Sequence, residues 1–83
     1  MKEKKGKIAR ILGIYSKLVR GELVRKDEEA LFYDVNERSI QRDIDDIRNF
    51  FVSNAENTGV LNTIVYDWQK KGYRLEKVPD KNN

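Results

Sequence analysis

The feature that most restricts this chain is the tripeptide Asp34-Val35-Asn36, which separates two helical patterns and lets neither run through it. Asp takes the left-handed conformation of a tight turn more readily than most residues. Asn36 is a good N-cap, and Val35 and Ile40 are spaced to pack across it as a hydrophobic staple. After it, Ile40, Ile44, Ile47 and Phe51 recur at spacings of four, three and four, which predicts a helix from Glu37 to about Phe51 with one inward face. Before it, Lys26 to Tyr33 reads as a short helix. Asp27, Glu28 and Glu29 occupy its first turn, where the helix dipole favours acids. Ala30 and Tyr33 are its inward positions, with Leu31 or Phe32 covering the rest.

Upstream, Ile8, Ile11, Leu12, Tyr15, Leu18 and Val19 recur at three and four. That pattern predicts an amphipathic helix over about residues 6–20. Gly21 follows where a left-handed cap is wanted, and Lys17 and Arg20 sit in the last turn. Glu22-Leu23-Val24 is a short connector. Downstream, the polar run from Ser53 to Gly59 predicts a loop. Leu61, Ile64, Val65 and Tyr66 form one strand-like run, Asp67 to Gly72 a turn, and Tyr73-Arg74-Leu75-Glu76 a second strand.

The order is helix, helix, tight turn, helix, hairpin. That is a mostly α fold with a β-hairpin (α+β): a winged helix-turn-helix of three helices followed by a two-stranded wing. Residues 6–77 carry this domain. Residues 1–5 read as a flexible basic N-terminus and residues 78–83 as a polar tail.

Composition narrows the chemistry. The chain has 83 residues, enough for one domain with a modest core. It contains neither cysteine nor histidine, so disulfides, thiolate nucleophiles and imidazole bases are excluded, and nearly every zinc site with them. No metal or other cofactor is expected. No apolar run suits a membrane span or a signal peptide, and a cytoplasmic protein is expected. Net charge is only +3, but it is unevenly spread. Residues 1–26 hold nine Lys/Arg against two Glu, whereas residues 27–56 hold three Arg against nine acids. Such a chain would meet a polyanion with chosen parts of its surface.

The segment Glu37-Arg38-Ser39-Ile40-Gln41-Arg42 has the makings of a recognition helix. Its apolar face can dock on the other helices while its N-terminal end enters a major groove. Arg38 and Arg42 lie one turn apart on one face. A guanidinium can donate twice to guanine, and a glutamine such as Gln41 can pair bidentately with adenine. A hydroxyl such as Ser39 can bond a phosphate or a base. Asp43, Asp45 and Asp46 would repel DNA, so they should face away from it or neutralise nearby cations. The competing reading is a solvated helix face with incidental pairs such as Arg42–Asp46. Lys70, Lys71 and Arg74 around Gly72 would bring positive charge to the wing, to straddle a phosphate strand or enter the minor groove. Lysines also keep hairpin edges soluble.

Three further features have two readings each. Trp68 would cover the side of the small core, the commoner fate of a tryptophan, or stand exposed to stack on sugar or dock a partner. Lys2, Lys4, Lys5 and Lys7 would be a phosphate-contacting arm or a solvated tail. At least one of Phe50 and Phe51 should close the core, and the other would be exposed enough to contact a missing domain or a second copy.

These residues resemble the N-terminal domain of DeoR-like winged-helix regulators, most closely those that carry a WYL domain after it. The carrying residues are Arg10-Ile11-Leu12 with Tyr15, Gly21-Glu22, the run from Val35 to Arg48, and in the wing Ile64-Val65-Tyr66-Asp67 and Lys71-Gly72-Tyr73-Arg74-Leu75. The resemblance implies a bacterial transcription factor that binds double-stranded DNA, with Glu37, Arg38, Ser39, Gln41 and Arg42 at the DNA-facing positions. It also implies a homodimer, held through a ligand-sensing C-terminal domain. The chain stops at Asn83 without that domain, as an N-terminal fragment or a stand-alone reader would. Glu29 departs from the family pattern, which has leucine there, and a shifted register using Leu31 and Phe32 would compensate.

Two other functions compete. Catalysis would rest on carboxylates alone, for instance Asp43 and Asp46 around a magnesium ion, and exposed helical acids are far more often solvated. A winged-helix protein-protein interaction adaptor is the stronger rival. An adaptor, however, has no use for Arg38, Gln41 and Arg42 together on one exposed end.

Overall fold

A computed structural model describes residues 6–58 and 60–79. Three helices, α1 (Lys7–Val19), α2 (Lys26–Tyr33) and α3 (Glu37–Thr58), precede an antiparallel hairpin of β1 (Val60–Asp67) and β2 (Gly72–Pro79). This is the α+β, helix-and-hairpin layout expected of a winged helix-turn-helix.

The helix ends follow from local chemistry. At the end of α1, the Gly21 N–H returns to the Leu18 carbonyl and the Glu22 N–H to that of Lys17. Gly21 has φ +84°, the left-handed residue of a Schellman motif. At the end of α2, Asp34 takes the left-handed conformation at φ 59°, and the Val35 N–H returns to the Ala30 carbonyl. The Asn36 side chain then caps α3, its Oδ1 accepting from the Ser39 N–H at 2.9 Å. Val35 packs at the edge of the core near the fully buried Ile40.

The core gathers one stripe from each element. Ile40, Ile44, Ile47 and Phe51 of α3 are all buried, as their spacing predicts. Ile14 and Leu18 of α1, Ala30 and Tyr33 of α2, Val24 and Ile64 complete it. On α1 the buried stripe is narrower than expected and is shifted: Ile14, absent from the predicted face, is inside, while Ile8, Leu12 and Val19 are exposed. A helix crossing a small core buries about one stripe, so the flanks of a wide apolar face remain outside.

The register of α2 does not shift. Leu31 and Phe32 point outward, 84% and 70% exposed, and Glu29 keeps the inward position. The buried Glu29 carboxylate accepts from Lys17 Nζ at 2.6 Å. An ion pair across α1 and α2 therefore stands where apolar packing was expected, and the bond to Glu29 raises the Lys17 pKa above its ordinary value.

Three boundaries also differ. α3 runs through Thr58, so the predicted loop from Ser53 is helical, because extending an existing helix costs far less than starting one. β1 starts at Val60, pairing with Pro79, so Val78 and Pro79 belong to β2 and not to a polar tail. The connector between α1 and α2 is not merely a link: Val24 exchanges both backbone hydrogen bonds with Tyr73, at 2.8 and 2.7 Å, and adds a one-residue third strand to the wing. The basic residues of 1–5, Gly59 and residues 80–83 lie outside the described residues.

Gly72 lies beside that bridge. A Cβ on it would meet Leu23 Cγ at 2.6 Å. Its role is therefore close approach, and the left-handed residue of the turn is Lys71, at φ 57°.

Candidate nucleic-acid interface

The first turns of α3 are presented by the Asn36 cap and by the buried isoleucines behind them. Glu37, Arg38 and Arg42 are exposed; Ser39 and Gln41 are half-buried. Among the described residues, the guanidiniums of Arg38 and Arg42 make no hydrogen bond or ion pair.

The acids of α3 have other partners. Asp43 is fully buried and held by two bonds from the Arg10 guanidinium of α1, the longer from Nη2 to Oδ1 at 3.1 Å. The bond to Asp43 raises the Arg10 pKa above its already high ordinary value. Asp45 accepts from Arg48 at 3.0 Å, and Asp46 faces Lys7 at 3.7 Å. The Arg42–Asp46 surface pair is therefore not formed. Asp43 and Asp46 each face a different cation, and among the described residues no cluster of acids is arranged to hold a metal ion. The effect is that Asp43, Asp45 and Asp46 are turned to α1 or along the helix, while Arg38 and Arg42 stand exposed at its N-terminal end beside Glu37.

Gln41 is held at both ends. Its Oε1 accepts from Lys26 Nζ at 3.0 Å and, more weakly, from the Tyr73 hydroxyl at 3.3 Å; its Nε2 donates to Asp45 at 3.1 Å. An ammonium only donates and a carboxylate only accepts, so this network sets the orientation of the amide. Bidentate pairing with adenine would have to displace these partners. In the structure Gln41 is a tie between α2, α3 and the wing.

The wing turn is built on Asp67. Its Oδ1 accepts from the backbone N–H groups of Gln69 and Lys70, each at 3.0 Å. The bond from Lys70, helped by that from Gln69 and by the charges of Lys70 and Arg74, holds this carboxyl below its ordinary pKa against the opposing effect of desolvation. Lys70 and Lys71 are exposed at the turn, whereas Arg74 faces Asp67 at 3.5 Å and is partly neutralised. Arg25 Nη2 donates to the Lys70 carbonyl at 2.9 Å and ties the connector to the wing tip.

Trp68 does not cover the core. It is 80% exposed, touching Tyr66 edge to face at 4.6 Å between centroids. Of the phenylalanine pair, Phe51 closes the core and Phe50 is half-exposed against Tyr15.

Sequence spacing missed Arg25 and Lys26. Both line a concavity of about 400 Å³ with Glu37 and Lys71, between the starts of α2 and α3 and the wing. Only the bridge from Val24 to Tyr73 brings them there, and periodicity carries no signal for such a pairing. Ile11, Leu12 and Tyr15 of α1, with Ile47 and Phe50, border a separate apolar groove of about 390 Å³.

The fold thus defines a winged-helix domain with a cationic helix end beside a basic turn. Comparison with known proteins finds no family model, no curated protein and no solved structure that matches this chain. Among the described residues no helix is long and apolar enough to cross a membrane.

Proposed function

We propose that this domain binds double-stranded DNA in a sequence-specific way, as the reading head of a DeoR-like, WYL-associated bacterial transcriptional regulator. Supporting this reading above all is that, among the described residues, Arg38 and Arg42 have no partner while the three acids near them are each engaged elsewhere. Two unpaired guanidiniums one turn apart at the start of a capped helix suit guanine edges or flanking phosphates. In this reading the N-terminal turns of α3 enter the major groove, Ser39 bonds a phosphate, and Lys70 and Lys71 follow the backbone of the adjoining groove. One copy reads few base pairs, so the reading includes a homodimer, held through a following domain, for useful affinity.

Selection from a random duplex pool tests this, with an Arg38→Ala/Arg42→Ala variant in parallel. One enriched motif, lost in the variant, is the expected result, and single Arg42→Ala should cost about 1–3 kcal/mol on that motif. Wild type and variant behaving alike at low salt would overturn it. A second reading, a protein-docking adaptor, is favoured by the outward Leu31 and Phe32. It would gain from that failure.

A further inference from the structure

Tyr73, Tyr66 and Trp68 form a ladder of rings that steps outward from the core along the wing. Tyr66 and Tyr73 are cross-strand partners, with centroids 4.9 Å apart, and Trp68 follows 4.6 Å beyond Tyr66. The inner rung is tied to the helices, where the Tyr73 hydroxyl reaches Gln41. The three rings and Lys26 line a concavity of about 310 Å³. It adjoins the 400 Å³ concavity of Arg25, Lys71 and Glu37, and the two share Lys26, Tyr66 and Tyr73.

The two halves suit different parts of one ligand. An open indole beside a second ring offers π surface to a planar base, and every base has such a face. In the adjoining half Arg25 is paired with Glu28 at 3.6 Å, and Lys26 and Lys71 share the lining with Asp27 and Glu37; the exposed Lys70 beside Lys71 tips the turn end toward positive charge, which favours an anion there. A nucleotide joins a planar aromatic group to an anion in this way. A buried indole would be core, and an isolated exposed one would be chance; this one ends a ladder that begins in the core and has ammonium groups beside it.

The geometry points to a second nucleic-acid site on this face of the wing, one that binds single-stranded DNA by stacking unpaired bases on Trp68 and Tyr66 while Lys26 and Lys71 hold the phosphates. A strand fits better than a free nucleotide, because Lys71 lines the concavity and its neighbour Lys70 is exposed in the same turn, which offers a continuing backbone further positive charge. DNA fits better than a peptide, because the ring surface adjoins Lys26 and Lys71, which a phosphate backbone would use. The site is independent of Arg38 and Arg42, which are not among its lining residues.

Trp68 is the chain's single tryptophan, so its fluorescence carries the signal of this site, and the Trp68 variants assign it. The test is titration at low salt with an oligothymidylate of about eight nucleotides, within the site sizes of such platforms. Saturable quenching that weakens with added salt is expected. By anisotropy of a labelled oligothymidylate, Trp68→Leu should lose about tenfold or more in affinity and Trp68→Phe, which keeps a π face, much less. The substituted side chain is exposed, so folding is not at stake. Arg38→Ala/Arg42→Ala should bind the oligonucleotide as the wild type does, and Trp68→Leu should keep any duplex motif, which separates this proposal from the reading of the recognition helix. Four outcomes would overturn it: no quenching; equal binding by Trp68→Leu; saturation by thymidine monophosphate at the same concentration as the oligonucleotide; or tighter binding of oligouridylate, which would make RNA the ligand.

Discussion

Removing the Asp43 carboxylate should be as damaging as truncating a core residue of α3, although by sequence it is one of three equivalent surface acids. Asp43 is fully buried, and its partner Arg10 is only 11% exposed. Asp43→Ala leaves a guanidinium without its counter-charge at the α1–α3 contact. Breaking a buried pair from one side costs about 3–5 kcal/mol. Arg10 sits at the edge of the core and can turn toward water, which places the loss at the lower end, about 3 kcal/mol. A domain of this length is stable by only about 4–12 kcal/mol, so the loss is a large fraction of the whole. The melting temperature should fall by at least about 10 °C. The double variant Arg10→Met/Asp43→Leu removes both charges and fills the space, and should return to within about 1 kcal/mol of wild type. Urea unfolding followed by circular dichroism measures both. If Asp43→Ala cost less than about 1 kcal/mol and the double variant were no better, the ion pair would not hold α1 to α3 and the argument would fail.

Gly72→Ala should destabilise the domain by about 1–3 kcal/mol, because its Cβ would push Leu23 and the Val24 bridge away from β2; an unchanged midpoint in the same assay would show that the connector yields freely. Lys71→Gly should add roughly 0.5–1 kcal/mol by relieving the left-handed lysine. It should also weaken duplex binding for all sequences alike with a shallower salt slope, and a parallel fall in both stability and binding would contradict that separation. For pH, the folded pKa of Asp67 lies below its unfolded value, so its contribution is present above the unfolded value and is lost as pH falls through the folded one. The wing turn should therefore loosen at acid pH, below the ordinary carboxyl value of about 4. Trp68 fluorescence would follow it, and the same profile in Asp67→Asn would assign the change elsewhere.

Local interactions were legible in the sequence because they need only neighbours. The left-handed Asp34, the Asn36 cap, the Gly21 terminus and the stripe of Ile40, Ile44, Ile47 and Phe51 all rest on contacts within about one or two helical turns. Those features suffice to order three helices and a hairpin, and to place Arg38 and Arg42 at an exposed helix end. Polar burial was not legible, since Asp43 and Glu29 are inside only because Arg10 and Lys17 reach them from 33 and 12 residues away. Nor was the bridge from Val24 to Tyr73, which turns Gly72 from a turn residue into a spacer and carries Arg25 and Lys26 to the wing. Trp68 shows the same limit from the other side: its size argued for the core, but the hairpin already fills its inner face with Ile64 and Tyr73 and leaves the indole outside. Periodicity states which side of a helix or strand is apolar. Which polar groups share that side, and which apolar ones are left over, depends on distant partners, and only packing in three dimensions decides it.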